Sequence, residues 1–553
     1  MSNPFFEKSK VIANEFLQSI VFIDDKAYLA RSADSPNHDF DAQKVSNVFA
    51  SEKKICGVYQ PKNQQDIDNF KEIAKKADVI ILDWQINLSN TIVVVNPEAD
   101  APADDTRGQF TLEIIKEILT DPIVGKGSLK LIIIYTGETN LVEITQEVYD
   151  TLLAECSDLK HEDCKVYSDN VKVLIRAKSS VGDEDEDTKF NHLIGLKDKI
   201  VKYKDLPSFV LNEFTEMTSG LLSNFALQSL TTIRFNSHKI LSLFSKELDC
   251  AYLSHKSFIP NSEDAEDLLL DILKDSIADL LSYNGTHRII NKDLIFDWID
   301  LNIVEEAHSV LNNKGIKLNP AVEFIRKKSM LTDLLFSSET RVEKKFETVF
   351  KALIQDKDQR VEFLKYLSNN NTKLFLNLSN LTKEEEINKN FAKLTHHKSL
   401  FLPQNIEPKL TLGTIIKSTK NDNYFICIQQ KCDSVRIYGI ERKFLFLPMS
   451  IINGTDKFEI ISPAGIKLKL NKKSFSIRTI KFVGDNVEGI VKGRNDGTGK
   501  YIFEQNYKEA TDEHFEWILD LKDLHSQRIV VEYASELSRV GLDESEWLRR
   551  WAN

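Results

Sequence analysis

Apolar residues in the first two hundred positions come in short unbroken runs. SIVFID (19–24), DVIILDW (78–84), LKLIIIYTG (129–137) and VKVLIRAK (171–178) are aliphatic and end in polar residues, and KKICGVYQ (53–60) supplies one more short strand. Between them, QQDIDNFKEIAKKA (64–77), QFTLEIIKEILT (109–120) and LVEITQEVYDTLLAEC (141–156) carry apolar residues at helical spacing. Continuous aliphatic strands alternating with helices predict a doubly wound α/β domain, with a parallel sheet covered on both faces. Ligand chemistry in such sheets gathers at the carboxyl ends of the strands. The loop NPEADAPADDTRG (96–108) and the acidic run GDEDEDTKF (182–190) interrupt the pattern and read as solvated surface.

The period changes twice. From about 207 to 400 the chain reads as nearly all helix, in 208–235, 238–253, 265–281 and 341–355, with no defensible repeat. After about 408, TLGTIIKS, NYFICIQQ, SVRIYGI, KFLFLPM, SFSIRTIKFV and YIFEQNY are short β-branched and aromatic segments between turn residues. They predict a small antiparallel β domain, a barrel or sandwich. Two helical patterns, EHFEWILDLKDLHSQRIVVEYASELSRVG and DESEWLRRWA, close the chain. The expected domains are 1–205, 206–405, 406–510 and a helical 511–553.

Composition narrows the class. With 553 residues the chain is too long for one core, and 42% hydrophobic with 28% charged residues is ordinary for a soluble globular protein. A net charge of -12 argues against a general nucleic-acid coat. Six scattered cysteines form no disulfide framework and suit a reducing compartment. The N-terminal MSNPFFEKSKVIANEF has no apolar signal core, and no apolar run approaches a bilayer span, so the expectation is cytoplasmic, with no membrane partner.

Candidate chemistry concentrates at the strand ends. Asp24 and Asp25 follow the first strand and Asp83 ends VIIL. On adjacent parallel strands these carboxylates converge, which is costly unless a cation shares them, and oxygen ligands of this kind suit Mg²⁺. A carboxylate not consumed by the metal can attack phosphorus. Thr136 ends IIIYT and Lys178 ends VLIRAK, supplying a hydroxyl and a fixed cation for phosphoryl oxygens.

This ordered set resembles the receiver domain of two-component response regulators, over roughly residues 15–200, most specifically in FIDD, IILDW and IIYTG. The resemblance implies a flavodoxin-like fold, Asp83 as phosphoacceptor, Asp24 and Asp25 as Mg²⁺ ligands with the Gln85 backbone carbonyl, Thr136 as switch hydroxyl and Lys178 as phosphate cation. It also implies a histidine kinase as partner, and self-catalysed phosphoryl transfer with slow autodephosphorylation in place of an enzymatic output. Ile175 stands where receivers carry an aromatic residue, Ser179 where they carry proline, and an insertion precedes Gly108 where a compact Met-Pro and Asp-Gly segment is usual. A pseudo-receiver that keeps these residues without accepting phosphate is the plainer counterpart. A haloacid-dehalogenase-like phosphatase wants a carboxylate two residues after its nucleophile, and Gln85 stands there.

The whole layout resembles the large receiver-containing proteins of bacterial antiphage phosphorelays of the Detocs type, which implies a phosphate acceptor, buffer or adaptor beside an effector or second receiver protein. The alternative is a receiver gating a nucleic-acid-binding output, because residues 401–510 hold 18 Lys plus Arg against 11 Asp plus Glu. CIQQKCD (427–433) and His396–His397 lack the four ligands of a zinc site. Trp517, Trp547 and Trp551 read as core or helix anchors.

Overall fold

The aliphatic runs form the middle of one sheet because every residue in them must be buried on one face or the other. In the computed structural model these are β1 (Ser19–Ile23), β2 (Ile55–Tyr59), β3 (Val79–Leu82) and β4 (Lys130–Thr136). A hairpin of β5 (Lys160–Glu162) and β6 (Lys165–Tyr167) precedes β7 (Val171–Lys178), and β8 (Ile200–Val201) follows. Strand order is β2-β1-β3-β4-β7-β6-β5, with β8 beside the end of β7. The first five are mutually parallel, whereas β6 runs antiparallel to β7. The structure describes residues 3–28, 40–88, 107–121, 128–179, 195–259, 264–302, 328–339, 341–351, 354–370, 372, 375–376, 383–398, 407–453, 458–505 and 513–538. Most of the loop 96–108, the whole acidic run 182–190 and the helical pattern DESEWLRRWA lie outside the described residues.

Helices α1 (Pro4–Phe16), α2 (Ala42–Ser51), α3 (Gln64–Lys76), α4 (Gln109–Thr120), α5 (Leu141–Leu153) and α6 (Leu206–Thr218) cover the sheet. The side chains of Asn3, Asp41 and Asn63 accept from Phe5, Lys44 and Asp66 N–H and so start α1, α2 and α3. Strand residues alternate between two cores. Val21, Ile23, Ile80, Leu82, Ile132 and Ile134 pack with Ile67, Ile114 and Val148 of α3, α4 and α5. Ile20, Phe22, Ile81, Ile133 and Tyr135 pack with Ala13, Val45 and Val210 of α1, α2 and α6.

The chain divides into two compact units, residues 1–301 and 302–553. Beyond α6, the first unit continues with α7 (Leu221–Leu243), α8 (Asp249–Phe258), α9 (Asp264–Tyr283) and most of α10 (Lys292–Asn302). The single helical pattern expected over 208–235 is broken at Ser219–Gly220, where Gly220 is extended and caps α7. Arg234 of α7 pairs with Asp78 at 3.1 Å, and that carboxylate also accepts the Gln18 and Ser19 N–H groups at the foot of β1.

The second unit holds helices at Lys328–Phe336, Val342–Lys351, Lys357–Asn370 and Glu384–His396, then an antiparallel sheet. Its strands are β9 (Thr414–Ser418), β10 (Tyr424–Cys427), β11 (Glu441–Ile451), β12 (Ile460–Ile461), β13 (Lys467–Leu470), β14 (Arg478–Val483), β15 (Arg494–Asn495), β16 (Tyr501–Phe503) and β17 (Phe515–Asp520). Phe515–Asp520 corrects the expected helix over EHFEWILD: it is a strand, pinned between β9 and β16, with a bulge between Trp517 and Leu519. The helix begins later and spans Asp523–Leu537. SVRIYGI (434–440) lies outside the named strands and contributes an isolated bridge from Tyr438 to Gly484. Cys427 is buried and Cys432 exposed, with all six cysteines free. Among the described residues no helix is long and apolar enough to cross a membrane.

Candidate functional site

Strand register brings the acidic residues together. Ile23 of β1 is level with Leu82 of β3, so Asp24 and Asp83 leave the sheet at the same edge. Backbone bonds continue one residue past each strand, from Asp24 N–H to Tyr59 O (3.0 Å) and from Asp83 N–H to Ile23 O (2.9 Å). Thr136 of β4 is level with Ala177 of β7, which sets Lys178 just beyond it. Asp24, Asp25, Asp83, Thr136 and Lys178 are all buried. Asp24, Asp25 and Asp83 each offer one carboxylate oxygen, and these atoms lie within 4.8 Å of one another. Among the described residues this is the one group of three or more His, Cys, Asp or Glu side chains close enough to share a metal ion.

The Lys178 ammonium lies 2.6 Å from Asp24 Oδ2 and 3.2 Å from Asp83 Oδ1. Asp24 Oδ1 accepts the Lys26 N–H at 2.8 Å, and Asp83 Oδ1 accepts the Trp84 N–H at 2.9 Å. Asp25 Oδ2 accepts two donors from Asn87, its backbone N–H and its Nδ2, both at 3.0 Å. Asp25 Oδ1 is buried with no hydrogen-bond partner. Burial pushes the Asp83 carboxyl up to about 7, with Lys178 opposing that and Asp24 and Asp25 adding to it. Burial also raises Asp25, against the Asn87 N–H and with the Asp24 charge. Burial alone would lower Lys178, but the Asp24 and Asp83 charges outweigh it and hold its pKa above the ordinary value.

Lys26, Phe40, Asp83, Gln85, Thr136 and Lys178 line a cavity of about 220 Å³ with Gly137, Glu138 and Thr139. That is below the roughly 300–1,000 Å³ of pockets for drug-sized ligands, and its charged and hydroxyl lining suits a small anion such as a phosphoryl group. The loop after Asp83 is held from α4: Thr111 donates its hydroxyl to Asp83 O at 2.6 Å, and Gly108, at φ +80°, starts that helix. A Cβ at 108 would come 2.2 Å from Trp84 Cζ2, so the buried indole occupies the space a side chain would need.

Residues 16–183 match the family model for the response receiver domain. The match supports a receiver-domain protein. No curated protein and no solved structure matches the chain. Receiver domains bind Mg²⁺ through an acidic aspartate cluster, and such a cluster is present here. The donor set fits that ion: three buried oxygens converge beside one cation, and Asp25 Oδ1 has lone pairs that no protein group satisfies.

Two features of this α/β domain leave no pattern in the sequence. Asn87, Thr111 and Phe40 touch the site or its loop, yet they sit outside the strand-end pattern that marks the acids. The aromatic surroundings are also displaced. Ile175 is buried in the core under α3–α5, whereas the rings nearest the Lys178 ammonium are Phe40 (5.3 Å) and Tyr135 (6.0 Å), on the opposite face. Phe40 in turn packs against Tyr203, 6.1 Å between centroids, at the approach to α6.

Proposed function

We propose that the chain accepts a phosphoryl group on Asp83 from a histidine kinase, with Mg²⁺ at Asp24, Asp25, Asp83 and the Gln85 backbone carbonyl, and has no catalytic output of its own. The observation that carries this is the cavity shared by Asp83, Thr136 and Lys178 beside three converging buried carboxylates. A carboxylate oxygen of Asp83 forms the new bond to phosphorus while the donor's P–N bond breaks and its electron pair leaves on the imidazole. Lys178 and the Thr136 hydroxyl take the phosphoryl oxygens, and both are fixed in place before the donor arrives. Mg²⁺ bound at the cluster would offset the negative charge on the transferring group. In this reading the protein is a cytoplasmic phosphate acceptor, buffer or adaptor, and the setting is a bacterial antiviral defence phosphorelay with an effector or second receiver as further partner. That setting rests on the resemblance of the layout. Beryllofluoride with Mg²⁺ is expected to slow amide exchange in residues 83–88 and 136–139 of the unphosphorylated chain. Unchanged exchange there would contradict the assignment.

One observation favours a second reading, nucleic-acid binding by the second unit. No acidic residue falls between 460 and 484, while 467–481 holds six Lys and Arg. β13 and β14 pair with successive stretches of β11, so the loop between them presents Lys473 and an exposed Phe475 between Lys469 and Arg478. Lys467, Lys472 and Lys481 are instead paired with Glu385, Glu459 and Glu441. Exposed cations beside an aromatic face suit single-stranded nucleic acid. Binding of a single-stranded oligonucleotide that weakens steeply with salt, and disappears when Lys469, Lys473 and Arg478 are neutralised, would establish this output. Salt-independent binding or none would remove it.

A further inference from the structure

The three carboxylates of the cluster are not equivalent in what they have left to offer. Both oxygens of Asp24 already accept from the protein, Oδ1 from the Lys26 N–H and Oδ2 from Lys178. Asp83 has Oδ1 engaged by Trp84 N–H and Lys178. Asp25 has Oδ2 taken by both donors of Asn87, while Oδ1 is buried and unpartnered. None of the three therefore has two open oxygens, and at Asp25 a single residue enforces this.

We infer that Asn87 is a positioning residue that leaves Asp25 one oxygen for a cation, and that this one-oxygen grip sets a preference of the site for Mg²⁺ over Ca²⁺. The inference rests on the reading of the cluster as a divalent-cation site. Mg²⁺ demands near-octahedral geometry, keeps waters and takes one oxygen per carboxylate, whereas Ca²⁺ takes six to eight oxygens and readily uses both oxygens of a carboxylate. Two N–H donors on Oδ2 fix the rotation of the Asp25 carboxylate and compete with any cation for that oxygen. The backbone N–H adds to the side-chain donor, and a proline at 87 would supply neither. The Asn87 side chain is itself exposed, so removing its amide disturbs little besides the Asp25 contact.

The test uses the full, unphosphorylated chain and isothermal titration with MgCl₂ and with CaCl₂, for the wild type, Asn87→Leu and Asn87→Pro. Asn87→Leu is expected to weaken Mg²⁺ about tenfold while Ca²⁺ binding holds or tightens, so that the ratio of the two dissociation constants falls at least as far; Asn87→Pro should go further. Equal losses for both ions, or no change for either, would overturn the inference. Metal-free melting of the variants checks that they fold. Should they fail to fold, the infrared difference spectrum of the wild type on adding Ca²⁺, the ion that readily takes both oxygens, decides: carboxylate bands of one-oxygen ligation support it, and two-oxygen bands overturn it. Phosphoryl acceptance is read separately. Labelled Asp83 with unselective metal binding overturns this inference alone, and selective metal binding without labelling overturns the phosphoacceptor reading alone.

Discussion

Replacing Lys178 by methionine is expected to cost the metal-free N-terminal α/β domain about 3–5 kcal/mol at neutral pH, the range for stripping one partner from a buried charge pair. Methionine approximates the length and shape of the lysine stem, so packing against Phe40 and Tyr135 is largely kept and the change is one of charge. What remains is Asp24, Asp25 and Asp83, all buried, with oxygens within 4.8 Å of one another and no ammonium among them. Hydrogen exchange of the β1, β3 and β4 amides reads this locally, without assuming that so long a chain unfolds in one step. Both Mg²⁺ and a pH near 5 should restore part of the loss, the first by replacing the cation and the second by protonating carboxylates. Exchange rates equal to wild type would mean that the lysine is not the charge that holds the cluster together.

Replacing Asp83 by asparagine is expected to act in the opposite direction. Its carboxyl titrates at about 7 in the folded protein against 3.8 ordinarily, with burial as the main cause. Between those values the folded state keeps a proton that the unfolded chain has released, so metal-free stability falls as pH rises from about 4 to about 7. At about 1.4 kcal/mol per unit, roughly 4 kcal/mol is the ceiling on that loss, with the opposing Lys178 charge already inside the raised value. Asp83→Asn removes that titration and one of the mutually repelling charges, while Lys178 keeps its 2.6 Å contact with Asp24. In EDTA the wild type should therefore exchange faster at pH 8 than at pH 5, once intrinsic rates are divided out, and the variant should change much less. Parallel pH dependence in the two proteins would show that Asp83 is not the group whose burial is strained.

Much of this site is legible in the sequence because strand ends in a parallel sheet carry their chemistry in plain order. Four aliphatic runs locate β1, β3, β4 and β7, and the residues that meet at the carboxyl edge are the ones just past β1 and β3, Asp24 and Asp83, and the last of β4 and β7, Thr136 and Lys178. The hairpin β5–β6 leaves no alternating pattern in the sequence: Lys160–Glu162 is wholly exposed, and only Val166 of β6 is buried. β17 reads as helix in the sequence because Trp517, Ile518 and Leu519 straddle a bulge, which breaks strand alternation and leaves a spacing that mimics a helix. Asn87 and Phe40 carry no local signal at all. Asn87 matters through a contact across 62 positions with Asp25, and Phe40 through rings and an ammonium drawn from β1, β7 and the approach to α6. Such contacts are set by the packed sheet and its loops, not by periodicity.

The most direct measurement is to incubate the chain with a small phosphoryl donor such as acetyl phosphate and Mg²⁺, trap the product with borohydride, and locate the reduced residue by mass spectrometry. Reduction at position 83, dependent on Mg²⁺ and absent from Asp83→Asn, is the result this account predicts. Undiminished labelling of the Asp83→Asn protein, or a reduced residue elsewhere in the wild type, would contradict it.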